Sequence, residues 1–157
     1  MENLTQVSPE LAQLRHLRIL VVDDEVDSLF LLQFILESQG ASVIAVTSVQ
    51  AALNAVSSSG FDVLISDIVL PEQDGLSLIR CIRSLDQTQS DLTPAIAYSA
   101  LDPACWAAVC LEAGYQSFVT KPIHPEELVA VILEVAPRRF NSKQPFHLSV
   151  DRLSRLA

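Results

Sequence analysis

The sequence is short of positive charge, of cysteines at metal-binding spacing and of long apolar runs, and each shortage closes off a class. Ten Lys+Arg stand against nineteen Asp+Glu, a formal net charge of −9. That is the wrong sign for a general nucleic-acid-binding surface. The three cysteines, Cys81, Cys105 and Cys110, include no CxxC pair and no histidine at zinc-site spacing. They read as buried or inert thiols in a reducing compartment. No run approaches the ~20 apolar residues of a membrane span. The uncharged stretch from Ser38 to Phe61 is broken throughout by Ser, Thr, Gln, Asn and Gly. Met1-Glu2-Asn3 is acidic where a signal peptide carries Lys or Arg. These absences predict a soluble, cytoplasmic chain with no membrane insertion and no direct nucleic-acid partner.

What is present is a core. Half of the 157 residues are hydrophobic, enough for one folded domain and too many for a disordered or low-complexity chain. Charge is unevenly spread. Residues 17–137 carry four basic groups (Arg18, Arg80, Arg83, Lys121) and sixteen acidic ones, whereas residues 138–157 carry five basic groups and one acid, Asp151. The switch after Pro137 predicts a domain over 17–137, an N-terminal extension over 1–16 and a basic tail over 138–157. Ser8-Pro9-Glu10-Leu11 opens a short helix with Leu11 and Leu14 on one side.

Within the domain, apolar runs alternate with helical patterns. Ile19–Val22, Val43–Val46, Val63–Ile65, Ala95–Ala97 and Ser117–Val119 read as strands. Helices are expected over 26–39, 48–58, 74–84, 102–113 and 125–136. Gly40 and Gly114 follow two of them, and Pro103 and Pro125 fit the first turns of two others. Five strands alternating with five helices predict an α/β fold: a doubly wound, five-stranded parallel sheet of order 2-1-3-4-5, flavodoxin-like.

Function in such folds sits at the carboxyl edge of the strands. There the expected strands run into Asp23-Asp24-Glu25, Ser66-Asp67, Ser99-Ala100 and Thr120-Lys121-Pro122. Clustered carboxylates repel one another unless a cation joins them, and hard oxygen ligands suit Mg²⁺. Lys121 supplies a point charge for a phosphate, and Ser99 a hydroxyl for a phosphoryl oxygen. Asp67 is then a plausible nucleophile, since carboxylates form acyl phosphates. Each residue alone has an ordinary structural reading: Asp24 or Asp27 could simply cap the first helix. Four fitting residue types at four strand ends are much harder to explain that way.

These segments, together with Ile19-Leu20-Val21-Val22, Asp67-Ile68-Val69-Leu70-Pro71-Glu72-Gln73-Asp74-Gly75 and Leu111-Glu112-Ala113-Gly114, resemble the receiver domain of bacterial two-component response regulators. The chemotaxis receiver is an example of this strand order. The resemblance implies that Asp67 accepts a phosphoryl group from a histidine kinase or a histidine phosphotransfer protein. It implies that Asp23, Asp24, Asp67 and the backbone carbonyl of Val69 hold Mg²⁺, and that Lys121 pairs with the phosphate. Ser99 and Phe118 would be the switch residues. The Lys121–Pro122 bond is expected to be cis, and Val69 and Leu101 to flank the approach of a hydrolytic water. Such a domain is a phosphoacceptor in a phosphorelay rather than an enzyme. The polar stretch Ser84–Thr93 is expected to lengthen a surface loop.

Competing classes fit less well. A flavin-phosphate binder would not place Asp23-Asp24-Glu25 in its first loop. An aspartyl-nucleophile phosphatase wants a second acid where Val69 stands. An adaptor or dimerisation module of the same fold, with an output independent of phosphorylation, remains the alternative. The downstream protein is unknown, and a second copy of the chain is one candidate. Two surfaces stand out. In the first helix, helical spacing puts Leu31, Leu32, Ile35 and Leu36 toward the core and leaves Phe30 and Phe34 outside, unless the N-terminal segment covers them. In the fourth, Trp106 and its apolar neighbours form a second candidate contact. The basic tail is a further candidate docking peptide.

Overall fold

The computed structural model describes residues 12–85 and 93–136. The expected N-terminal helix start, most of the 84–93 loop and the basic tail lie outside them. The described chain alternates strictly: β1 (Arg18–Val22), α1 (Val26–Ser38), β2 (Ser42–Val46), α2 (Val49–Ser58), β3 (Val63–Ser66), α3 (Gly75–Leu85), β4 (Ala95–Ser99), α4 (Pro103–Ala113), β5 (Ser117–Thr120) and α5 (Pro125–Val135). The sheet order is β2-β1-β3-β4-β5, with all pairs parallel. This is the predicted topology.

Strand composition follows position. β3 and β4 are buried at every residue, as central parallel strands covered on both faces require. The edge strand β2 has no fully buried residue. Alternation divides the core into two layers. Leu20, Val22, Leu64, Ala95, Ala97 and Phe118 face α2, α3 and α4. Ile19, Val21, Val63, Ile65, Ile96, Tyr98 and Val119 face α1 and α5.

Local chemistry sets the helix ends. Ser48 caps α2 by accepting from the Ala51 N–H at 3.1 Å, and Asp102 caps α4 by accepting from the Ala104 N–H at 2.9 Å. Proline opens α4 and α5, and Glu126 and Glu127 complement the dipole of α5. Gly40 (φ +91°) and Gly114 (φ +129°) take the left-handed conformation after α1 and α4. Leu14 is fully buried beside Leu36 and Ala41, and its N–H donates to Gln39 O at 3.0 Å.

One expectation within α1 is overturned. Leu29, Leu32 and Leu36 form the buried stripe, and Leu31 is 58% exposed. Helix α1 is apolar around most of its circumference, so spacing alone admits more than one inward face; the 29/32/36 stripe is the one that meets β1 and β2. Phe30 and Phe34 are exposed as expected, and with Val26 and Leu31 they make one apolar face.

Arg83, in the last turn of α3, clamps the end of the following unit. Its guanidinium donates to Gly114 O from Nε and Nη2 (3.1 and 2.9 Å), to Thr93 O (2.7 Å) and to Gln116 Oε1 (3.1 Å). Gln116 Oε1 also accepts from the Ala95 N–H at 2.6 Å. Among the described residues, no helix is long and apolar enough to cross a membrane.

Candidate functional site

The parallel ladder runs one step beyond three strands and thereby fixes the site. The Asp23 N–H donates to Val46 O, the Asp67 N–H to Val22 O and the Lys121 N–H to Ser99 O. Asp23, Asp67 and Lys121 are therefore held by sheet bonds at one edge. Lys121 Nζ donates to Asp23 Oδ2 at 2.6 Å and to Asp67 Oδ2 at 2.8 Å. The other carboxylate oxygens accept from backbone. Asp23 Oδ1 takes the Glu25 N–H (2.9 Å), and Asp67 Oδ1 takes the Ile68 (2.6 Å) and Val69 (3.2 Å) N–H groups. The Lys121–Pro122 bond is cis.

The site is mostly withdrawn from solvent on one side and open on the other. Asp23 and Asp67 are buried, whereas Asp24 and Val69 are exposed at its mouth. Burial alone pulls the Lys121 ammonium down, but its hydrogen bonds to Asp23 and Asp67 and their charges outweigh that, and its pKa is raised. Helix α1 begins from Glu25 without a side-chain cap, so neither Asp24 nor Asp27 is spent on the capping role weighed for them.

Three carboxylates offer one oxygen each, from Asp23, Asp24 and Asp67, all within 4.8 Å of one another. This all-oxygen set, with one exposed member, fits a hard divalent cation that retains water ligands. Ser99 is buried at the neighbouring strand end, and its Oγ accepts from the Leu101 N–H at 3.3 Å. Phe118 is also buried, paired with Ala97 in the sheet register and packed among the residues facing α4. Phe30 and Phe34 lie outside this cluster on the surface of α1. Trp106 is half-buried and packs against the α2–α4 layer, so its ring divides between core and surface.

Three residues around the site had no assigned role in the sequence. Tyr115 reaches under the β3–α3 loop and donates its hydroxyl to Gly75 O at 2.8 Å; burial pushes that hydroxyl well above the usual phenol range. Gly75 leaves room for the loop: a Cβ there would lie 2.3 Å from Asp67 O. The Tyr98 ring centroid lies 5.2 Å from Lys121 Nζ. Only Tyr98 carries a signal in the sequence, since alternation puts it on the face opposite Ser99; Tyr115 and Gly75 meet across forty residues.

The sequence pattern of the response regulator receiver domain matches residues 19–133. The sensor protein GacS of Pseudomonas syringae pv. syringae is 35% identical over 141 residues, which is 83% of this chain but 15% of that protein. This chain therefore spans a small part of that relative. An uncharacterized 14.6 kDa protein of Leptolyngbya boryana is 35% identical over 119 residues, covering 76% of this chain and 89% of its own length. The receiver domain of the Francisella response regulator 1452 superposes with a TM-score of 0.69 at 26% identity, covering 76% of this chain and 95% of that one. The Thermotoga maritima response regulator TrrA, solved with Mg²⁺ and beryllofluoride, superposes with a TM-score of 0.66 at 26% identity, covering 75% and 97%.

Proposed function

The chain belongs to the response regulator receiver domain family, and from that premise we propose that it is the phosphoacceptor of a two-component phosphorelay, with Asp67 as the site. The observation that carries this reading is the convergence of Asp23, Asp24 and Asp67 within 4.8 Å, with Lys121 Nζ on two of them.

A carboxylate oxygen of Asp67 attacks the phosphorus of a phosphohistidine on a histidine kinase or histidine phosphotransfer protein. The new O–P bond forms as the P–N bond breaks, and the imidazole leaves with the electron pair. Asp23, Asp24, Asp67 and the Val69 carbonyl would hold Mg²⁺, which when bound supplies positive charge to the phosphoryl oxygens. Lys121 already lies against Asp67 and offers its charge to the same oxygens. The Ile68 and Val69 N–H groups hold the Asp67 carboxylate in one orientation. Ser99 then bonds the phosphoryl group, and the shift passes to Phe118 and the β4–α4 surface, where Trp106 is half-exposed.

The apolar face of α1 (Val26, Phe30, Leu31, Phe34) begins directly after Asp23-Asp24-Glu25. A protein that brings its histidine to Asp67 meets that face, which supports it as the donor's docking surface. We place this exchange in the cytoplasm and the phosphoacceptor unit at 17–137, between the extension 1–16, whose Leu14 packs into the same core, and the tail 138–157.

The test is incubation with acetyl phosphate and Mg²⁺, read by intact mass. One phosphoryl group should add to the native chain and none to Asp67→Asn. Equal labelling of that variant refutes the assignment.

A further inference from the structure

We propose that Tyr98 is a positioning residue for the Lys121 ammonium. The catalytic consequence rests on the phosphoacceptor reading; the contact itself does not. Tyr98 and Ser99 are consecutive on β4 and so project to opposite faces of the sheet. Ser99 lies on the α4 side, while Tyr98 is buried in the α1–α5 layer. From there its ring faces Lys121, with the centroid 5.2 Å from Nζ.

The geometry gives the ring a task that a further carboxylate could not do. An ammonium has three N–H donors. Two are taken by Asp23 and Asp67. An aromatic face attracts the cation through its quadrupole without consuming a donor. The third N–H therefore stays available for a phosphoryl oxygen, while the four-carbon stem is held against wandering into solvent. A Leu at this position would fill similar space and leave the ammonium tethered only by the carboxylates, one of which is the group to be phosphorylated. At that moment the lysine exchanges its Asp67 contact for the phosphoryl oxygens, and the ring is the support that does not change.

The test compares Tyr98→Leu, which removes ring and hydroxyl, with Tyr98→Phe, which keeps the ring. Ile96→Ala controls for loss of packing, since Ile96 is fully buried in the same layer. In metal-free native protein, the Lys121 ε-methylene protons should show an upfield ring-current shift by NMR. That shift should persist in Tyr98→Phe and Ile96→Ala and vanish in Tyr98→Leu. With acetyl phosphate and Mg²⁺, Tyr98→Leu should lower the maximal labelling rate about tenfold with KM for the donor unchanged, whereas Tyr98→Phe restores the rate and Ile96→Ala leaves it intact. A ring-current shift absent from the native protein overturns the contact. A native rate in Tyr98→Leu, with labelling still dependent on Asp67, overturns the positioning role and leaves the phosphoacceptor reading standing. No labelling of the native chain overturns that reading instead, while the NMR measurement still decides the contact.

Discussion

Replacing Lys121 by methionine keeps the stem and deletes the charge. Two carboxylates, Asp23 at 1% and Asp67 at 9% exposure, then face each other without the ammonium that joins them. Breaking a buried ion pair by removing one partner costs about 3–5 kcal/mol. Here the lower end applies. Asp23 Oδ1 and Asp67 Oδ1 keep their backbone N–H donors, and the mouth is open beside Asp24. A loss of about 3 kcal/mol in a domain of this size lowers Tm by roughly 12 °C. Mg²⁺ bound to the same carboxylates would offset part of that loss, so the variant should gain more in Tm from Mg²⁺ than the native chain does. The assay is thermal unfolding of both proteins at neutral pH, with EDTA and with millimolar Mg²⁺. The pH dependence has a fixed sign. Because the folded pKa of Lys121 is raised, the native advantage is full below the ordinary lysine value, about 10.4, and is lost as pH rises through the higher folded one. A metal-free Lys121→Met that melts within about 2 °C of native, or an Mg²⁺ response equal in both, refutes the reasoning.

Gly75→Ala should destabilise by about 1–3 kcal/mol and slow labelling of Asp67, because the added Cβ would lie 2.3 Å from Asp67 O; Gly60→Ala, with nothing within 4 Å, is the neutral control in the same denaturant series. Val69 and Leu101 place apolar side chains at the positions expected to flank the hydrolytic water, so Val69→Asn and Leu101→Glu should each shorten the phospho-Asp67 lifetime roughly tenfold, and unchanged lifetimes would sink the idea. Of the three thiols expected to be buried or inert, only Cys110 is buried, and burial pushes it up to about 11; Cys81 and Cys105 are exposed. A thiol reagent near neutral pH should therefore modify two sites in the native chain and a third only after unfolding; prompt modification of all three would contradict the packing.

The topology was legible because punctuation and pattern agreed. Gly40 and Gly114 ended helices, Pro103 and Pro125 began them, and the apolar runs between had no other use. The strand ends then put Asp23, Asp67, Ser99 and Lys121 in register without any knowledge of contacts. Legibility failed where the pattern was saturated or the partner was remote. From Leu29 to Leu36 every position of α1 but Gln33 is apolar, so spacing did not separate Leu29 from Leu31; only the sheet surface beneath chose between them. The bond from Tyr115 to Gly75 joins two loops, and neither loop carries a periodicity that points to the other. Tyr98 lay within reach of the alternation rule, but an aromatic in a core strand is ordinarily packing, and its nearness to Lys121 emerges only when β5 is placed beside β4.

The Arg83 clamp makes α4 an unequally anchored beam. Its C-terminal end is fastened through Gly114 O and the adjoining Gln116 to α3 and to the start of β4. Its N-terminal end hangs from the short turn after Ser99, held by the Asp102 cap and by the Leu101 N–H on the Ser99 hydroxyl. Any rearrangement of this helix is therefore a swing about its fastened end rather than a slide along its axis. Eleven residues give an arm of about 16 Å, with its more lightly held tip next to Ser99, the proposed switch residue. In such a swing displacement would be largest at Pro103 and fade toward Gly114, so a partner that grips the first turn of α4 would sense the proposed switch most strongly, and one that grips the last turn would meet an almost unchanged surface.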